Sequence, residues 1–230
     1  MSTPPSAKRR RIEGDIITIK VGTGKVESLT VHESLLRARG GFFEAALKQQ
    51  WREGQTREIE LPEDEPDIVA AYIEWLYSGK IEPLSCKPPT PVSHGAMRGT
   101  HVTLAKIYVL AEKLGDDDAC NVTIDSWVSL LCNRRGENGG LVPVPDWDAI
   151  KTIYEGTPVG SPARRFLIFL YSKGPKKRVT NLDGSAHEGY LIVPEFLLDL
   201  TCELLPDIGV KRKRLELGSI AETWYKEPRK

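Results

Sequence analysis

Two patterns of apolar residues follow one another in residues 15–47, DIITIKVGTGKVESLTVHESLLRARGGFFEAAL. The first part is rich in β-branched residues and is interrupted at Gly22–Gly24, which is typical of a β-hairpin. Over residues 33–49 the apolar residues recur at helical spacing, which predicts an amphipathic helix. Glycine is unfavourable inside a helix, so we expect Gly40–Gly41 to split this one into two short pieces. The pattern predicts a hairpin that leads into a split helix.

The rest of the chain adds one short strand and a series of helices. Alternating apolar residues predict a strand over residues 57–61, and a helix is expected from Pro66 to Gly79, because proline suits a first turn and glycine suits a left-handed cap. Further apolar stripes predict helices over residues 104–114, 116–131, 147–154, 162–170 and 194–205. Strands followed by helices indicate an α+β fold.

Composition excludes several classes of protein. The 230 residues include 32 basic and 32 acidic side chains, and 40% of the residues are hydrophobic. This is typical of a globular chain, and zero net charge argues against a general polyanion binder. Nothing approaches the roughly 18 consecutive apolar residues of a membrane helix, and the N-terminus does not resemble a secretory signal. Four cysteines without a CxxC pair predict free thiols in a reducing compartment.

The residues at these positions resemble those of the BTB/POZ domain, over roughly residues 15–132. The matching stretches are Asp15-IITIKVG, Val31-HESLLRAR, Phe42-Phe43, Leu61-PED, Trp75-LYSG and Ala111-EKL. Each stretch alone is a weak signal, but their order and spacing together are a strong one. Residues 154–165 and 193–200 resemble, more loosely, the tails that follow the BTB domain in many fungal proteins.

The resemblance implies a short three-stranded sheet capped by a helical cluster, followed by an α-helical C-terminal extension. We therefore expect five segments. They are a disordered basic arm at 1–14, a BTB/POZ domain at 15–132 with a flexible insertion at 82–100, a linker at 133–145, a helical extension at 146–205 and a charged tail at 206–230.

The resemblance also implies a non-enzymatic protein-interaction module. BTB domains commonly form homodimers or pair with another BTB protein, and many are substrate adaptors for cullin-based ubiquitin ligases. The alternative is a nuclear, transcription- or chromatin-associated protein. The residues that carry the dimer or fold signature are Asp15, His32, Glu33, Leu36, Ala38, Phe43, Tyr77 and Gly79.

One position departs from the pattern of the family. In transcription-factor members, an acid in the first strand faces a base just after the corner histidine. Asp15 fits the acid, but Glu33 follows His32 where the base would stand. Two carboxylates cannot form an ion pair, and one would be desolvated beside the other. Dimerisation is still expected, but not through the charged pair that is usual at the dimer centre.

The basic clusters indicate where the protein acts. Lys8, Arg9, Arg10 and Arg11 stand in an exposed arm and predict nuclear targeting through an import receptor, with a solvated charge run as the alternative. We expect the protein in the nucleus, the cytoplasm or both. Further basic runs at 173–178 and 211–214 could contact phosphates. Direct nucleic-acid recognition is not expected, because no reading helix accompanies them.

No catalytic or metal-binding pattern emerges, so no cofactor is expected. Gly22–Lys25 lacks the spacing of a phosphate loop and continues into a strand. Asp116–Asp118 is interpreted as a helix cap because no calcium-type loop surrounds it. The acidic residues between Arg52 and Glu74 are either an exposed acidic face or, on the resemblance, lie near the surface where cullins dock.

Overall fold

The computed structural model describes residues 14–39, 41–48, 50–81, 94–133, 144–173 and 193–205. Three strands and nine helices lie in this part of the chain. They are β1 (Ile16–Val21), β2 (Glu27–His32), α1 (Glu33–Arg37), α2 (Gly41–Ala46), α3 (Arg52–Thr56), β3 (Glu58–Leu61), α4 (Pro66–Ser78), α5 (His94–Leu114), α6 (Asp117–Asn133), α7 (Trp147–Gly156), α8 (Pro162–Lys173) and α9 (Pro194–Leu204). The α+β class is confirmed.

The sheet has the strand order β2-β1-β3. β1 pairs antiparallel with β2, with Ile16 opposite His32, and this confirms the predicted hairpin. β1 also pairs parallel with β3, with Thr18 opposite Glu58. Every second residue of β1 is buried, so one face of the sheet covers the core.

The split in the first helical stripe is confirmed at Gly41. Its φ is +56°, a left-handed conformation that glycine adopts without steric cost. A Cβ at this position would lie 2.9 Å from the carbonyl oxygen of Leu114 in α5. Gly41 therefore lets the chain turn between α1 and α2, and its lack of a side chain lets α2 approach the end of α5. The sequence analysis missed α3, since its residues carry no apolar periodicity and none of them is buried.

α4 follows the prediction closely. Pro66 occupies its first turn, and Gly79 has a φ of +72° at its C-terminal cap, where its N–H donates to the carbonyl of Trp75 at 2.7 Å. The buried residues cover more than half of the helix circumference, and they are Ile68, Val69, Ala71, Tyr72, Ile73, Trp75 and Leu76. α4 is thus a central helix of the domain.

One predicted boundary is wrong. The flexible insertion was expected over residues 82–100, but α5 already begins at His94, and Met97 and Thr100 are buried. The apolar stripe that predicted this helix starts only at Leu104, because the first turns of α5 are rich in small and polar residues. Residues 82–93 lie outside the described residues.

The three predicted helices of the extension are confirmed, and they share one hydrophobic core with the rest of the chain. α7 packs on α5 so closely that a Cβ at Gly156 would lie 2.4 Å from Cγ1 of Val109. The rings of Trp127 in α6 and Phe166 in α8 are 5.8 Å apart. The extension is therefore part of the same packed unit as α5 and α6.

A buried arginine joins the helices of the extension. Arg164 in α8 donates to the carbonyl of Tyr154 at 2.6 Å and to the carbonyl of Thr157 at 2.5 Å. Its guanidinium also pairs with Glu195 of α9 at 3.0 Å. These contacts satisfy carbonyls at the C-terminal end of α7 that its own helix leaves free.

The predicted basic arm, apart from Gly14, and the charged tail lie outside the described residues, as does most of the predicted linker. In the described part of the chain, no helix is both long enough and apolar enough to span a lipid bilayer.

Candidate protein-interaction surface

The antiparallel hairpin brings the ends of β1 and β2 together at one corner of the sheet. Ile16 lies opposite His32, and the N–H of Glu33 donates to the carbonyl of Asp15 at 2.8 Å. The two carboxylates that the sequence analysis singled out are therefore neighbours, as expected. α1 starts at Glu33, so its first turn lies at the same corner of the sheet.

A base does lie at this corner, although it does not stand at the position after His32. Arg57 lies between the two acids, and its guanidinium pairs with Asp15 and with Glu33. It reaches this place because β3 runs parallel to β1, and the N–H of Thr18 donates to the carbonyl of Arg57 at 3.0 Å. The base comes from the residue before β3 and not from the residue after the histidine.

A second arginine completes this group, which we call the corner cluster: Asp15, Glu33, Arg37 and Arg57. Arg37 lies one turn after Glu33 in α1, and its Nε donates to the Glu33 carboxylate at 2.5 Å. Arg37 also donates to the carbonyl of Leu47 at 2.7 Å, which ties α1 to the end of α2. The charges of the two acids and the two bases cancel, so the corner cluster of one chain has no net charge.

Glu33 is the most enclosed member of the corner cluster, with a side chain that is 14% exposed. Loss of water contact would raise the pKa of this carboxyl, but hydrogen bonds and charge from Arg37 and Arg57 outweigh that effect and lower it. Glu33 is therefore held in the ionised form at neutral pH. The like-charge conflict expected from the sequence is removed by the two guanidinium groups.

An apolar patch lies beside the corner cluster. The backbone N–H of His32 donates to the hydroxyl of Tyr77 at 3.1 Å, and the same hydroxyl lies 2.6 Å from His32 Nδ1. Ile16, opposite His32 in the sheet, is 56% exposed, and Tyr77 is 42% exposed. Ile16, His32 and Tyr77 form what we call the Ile16 patch. Exposed apolar side chains next to charged groups are typical of a protein-binding surface.

The remaining signature residues have structural places in the fold. Leu36 and Phe43 are buried in the core, and the ring of Phe43 stacks 6.2 Å from that of Tyr72. Ala38 is the C-terminal cap of α1 and is exposed, while Gly79 caps α4. The structure therefore brings Asp15, His32, Glu33 and Tyr77 together at the surface and distributes the other four through the framework.

Other candidate groups have local partners. Asp116 caps α6, as interpreted, because its carboxylate accepts from the N–H of Ala119 at 3.0 Å and from the hydroxyl of Tyr72 at 2.8 Å. Burial raises the pKa of this carboxyl, although both hydrogen bonds oppose the shift. His101 is buried and accepts from the indole N–H of Trp127 at 2.8 Å. The described ranges contain no group of three or more residues suited to hold a metal ion.

The acidic stretch between Arg52 and Glu74 is partly neutralised. Glu65 pairs with Lys106 at 2.5 Å and Asp64 pairs with Lys113 at 2.8 Å, which links the start of α4 to α5. Asp67 and Glu74 are exposed on α4. An acidic surface remains, but several of its carboxylates serve contacts between elements. The targeting residues Lys8, Arg9, Arg10 and Arg11 lie outside the described residues.

Comparison with known proteins agrees with this architecture. A family model described as the BTB/POZ domain matches residues 13–91. This match spans the sheet, the corner cluster, the Ile16 patch and α4. A search of curated proteins found no match to the chain. BTB/POZ domains mediate protein–protein interaction, including homo- and heterodimerisation. The chain therefore contains a BTB/POZ domain at residues 13–91, and further helices follow this stretch.

Proposed function

We propose that this protein is a non-enzymatic interaction module that forms a homodimer through the corner cluster and the Ile16 patch. The exposure of Ile16 and Tyr77 beside an internally neutral charge cluster carries the proposal. A two-fold dimer places the same residues of both chains in one interface. Neutral charge matters there, because like-charged clusters would repel each other across the axis.

The change in Kd of self-association caused by Ile16→Asp measures how strongly the dimer depends on the Ile16 patch. Full burial of an isoleucine side chain contributes about 1.5–3 kcal/mol, and since Ile16 is 56% exposed in one chain, about half of that is gained on dimerisation. A two-fold interface loses this contribution twice, and about 1.4 kcal/mol corresponds to a tenfold change in Kd, so Ile16→Asp should weaken self-association by about tenfold to a hundredfold.

Co-isolation of two differently tagged full-length copies tests the proposal. We expect wild type to co-isolate and Ile16→Asp to abolish the signal. The matched control is Val26→Asp, because Val26 is similarly exposed, at 52%, but lies at the opposite end of the hairpin. Co-isolation that survives Ile16→Asp, or that Val26→Asp abolishes equally, would remove the interface proposed here. A wild type that does not co-isolate with itself would remove the homodimer.

We further propose that the dimer is an adaptor that brings a partner to a cullin-based ubiquitin ligase. The exposed acidic surface at β3 and the start of α4 supports this role. Affinity purification of the full chain from its native cells, followed by mass spectrometry, tests it. Recovery of a cullin is the expected result, and its absence removes the ligase part while leaving the dimer intact.

The second candidate is a nuclear, transcription- or chromatin-associated role. It is favoured by the basic run Lys8–Arg11, which suits an import receptor that reads a short extended peptide. Replacing these four residues by alanine should move a tagged protein into the cytoplasm. Unchanged nuclear accumulation would defeat this use of the arm.

A further inference from the structure

The hydroxyl of Tyr77 forms two hydrogen bonds with His32 inside the Ile16 patch. It accepts the backbone N–H of His32 at 3.1 Å. Its own proton is then available to the ring nitrogen Nδ1 of His32, which lies 2.6 Å away. The two rings meet edge to face, with centroids 5.8 Å apart. The pair joins the end of β2 to the last turn of α4.

These bonds fit a neutral imidazole. A nitrogen that accepts the hydroxyl proton carries no proton itself, so the hydrogen-bond pattern assigns the His32 tautomer that is protonated at Nε2. In a protonated imidazole both ring nitrogens are donors. The Tyr77 oxygen would then accept two bonds from His32, and its own proton would turn away from His32 toward the surface of the patch.

The charged groups around His32 already balance. β1, α1 and α4 pack against β2. The titratable and charged groups at this end of those elements are Asp15, Glu33, Arg37, Glu74, Tyr77 and Lys80, together with Arg57 beside β3. The corner cluster has no net charge, and Glu74 and Lys80 are exposed and of opposite sign. A proton on His32 would therefore give this corner of each chain one net positive charge.

That charge would oppose the interface proposed above in two ways. A two-fold axis brings the same residues of both chains together, so two added positive charges would repel each other. The hydroxyl proton of Tyr77, once turned outward, would also enter an apolar contact without an acceptor, which costs free energy.

We propose that His32 and Tyr77 make self-association depend on pH, so that the chains pair while the imidazole is neutral and separate when it is protonated. This inference rests on the homodimer proposed above and names a means of regulating it.

Proton linkage sets the size of the expected effect. Histidine is the side chain that ordinarily changes charge between pH 5 and 8. If the dimer holds two neutral imidazoles, its dissociation in acid takes up two protons, and Kd rises by up to about a hundredfold per pH unit. We expect Kd to rise by about tenfold to a hundredfold from about pH 7.5 to about pH 5.5. Glu33 does not contribute in this range, because its pKa is lowered from the ordinary value of 4.5.

Sedimentation equilibrium of the full-length protein at about pH 7.5 and about pH 5.5 tests the proposal, with the Kd of self-association as the readout. His32→Asn places an oxygen acceptor near the position of Nδ1 and cannot be protonated, so its Kd should not change between the two pH values. His32→Gln is a second neutral variant with the same expectation. The matched control is His94→Asn, because His94 begins α5 and lies outside the Ile16 patch. Its Kd should rise as in wild type.

The outcomes separate this inference from the homodimer itself. A wild type that dimerises with the same Kd at both pH values overturns the inference and leaves the homodimer standing, whereas a wild type that is monomeric at both removes the homodimer. A rise in Kd that both His32 variants share with wild type would overturn the inference, since another group would then be titrating. Far-UV circular dichroism should show the same helical signal at both pH values. Loss of that signal in acid would overturn the inference, because the chain would then be unfolding.

Discussion

Arg57 is the residue whose replacement most sharply tests the corner cluster. Its guanidinium joins Asp15 to Glu33, and its backbone has a φ of 60°, which is uncommon for a residue with a side chain. Two variants separate these features. Arg57→Ala removes the ion pairs and keeps the strained backbone, whereas Arg57→Gly removes both the ion pairs and the strain.

The expected loss of unfolding free energy depends on how exposed each ion pair of Arg57 is. Loss of a charge-assisted hydrogen bond to the enclosed Glu33 carboxylate should cost about 1.5–3 kcal/mol, and the low end applies because Arg37 still pairs with Glu33. The pair with Asp15 adds little, because Asp15 is 70% exposed. Glycine at this φ should recover about 1 kcal/mol. We expect Arg57→Ala to lower the free energy of unfolding by about 2 kcal/mol and Arg57→Gly by about 1 kcal/mol.

The effect should depend on pH in a defined direction. The pKa of Glu33 is lowered in the folded protein from its ordinary value of 4.5, so its ion pairs stabilise the fold above that pH. This stabilisation is lost as the pH falls through the lowered pKa. The difference between wild type and Arg57→Ala should therefore be full at pH 7 and should shrink in acid below 4.5.

Urea denaturation followed by circular dichroism, at one protein concentration, measures these differences. Arg52→Ala is the control, because Arg52 forms an exposed pair with Glu60 at 2.7 Å and its loss should cost less than about 0.5 kcal/mol. The reasoning is refuted if Arg57→Ala is no less stable than Arg52→Ala. It is also refuted if the deficit of Arg57→Ala grows as the pH falls.

Three further predictions concern the packing of the helices and can be measured by the same denaturation assay. Gly156→Ala should destabilise the protein by about 1–3 kcal/mol through its clash with Val109, whose branched side chain has little rotamer freedom. Addition of Val109→Ala should recover part of this loss, and Gly99→Ala, in open space on α5, should not destabilise. Arg164→Met should cost about 3 kcal/mol or more because it leaves buried carbonyls of α7 unsatisfied, and an effect under 1 kcal/mol would contradict its assigned role. Asp116→Asn should be close to neutral at pH 7, since burial raises the pKa of this carboxyl, whereas Asp116→Ala should cost about 1–2 kcal/mol through loss of the cap of α6.

The local features of the fold could be predicted from the sequence. Apolar alternation predicted β1 and β2, and Gly41 and Gly79 marked turns that require a left-handed backbone. These features depend on neighbours within a few residues. The start of α5 was placed too late because His94 begins a stretch of small and polar residues that carries no apolar stripe.

The contacts between distant segments were not predictable in the same way. Arg57 reaches Asp15 because β1 and β3 are parallel, a pairing between segments about forty residues apart that periodicity does not show. A search for a basic residue next to the third strand would have found it. The contact of Gly156 with Val109 depends equally on how α7 crosses α5, which the apolar stripe of each helix leaves undetermined.

Sedimentation equilibrium of the purified full-length protein tests the central proposal most directly. We expect wild type and Val26→Asp to have twice the 25.7 kDa mass of one chain at micromolar concentration, and Ile16→Asp to have the mass of a single chain. A wild type with the mass of one chain at that concentration would contradict the proposed dimer. A dimeric Ile16→Asp would contradict its placement at the Ile16 patch.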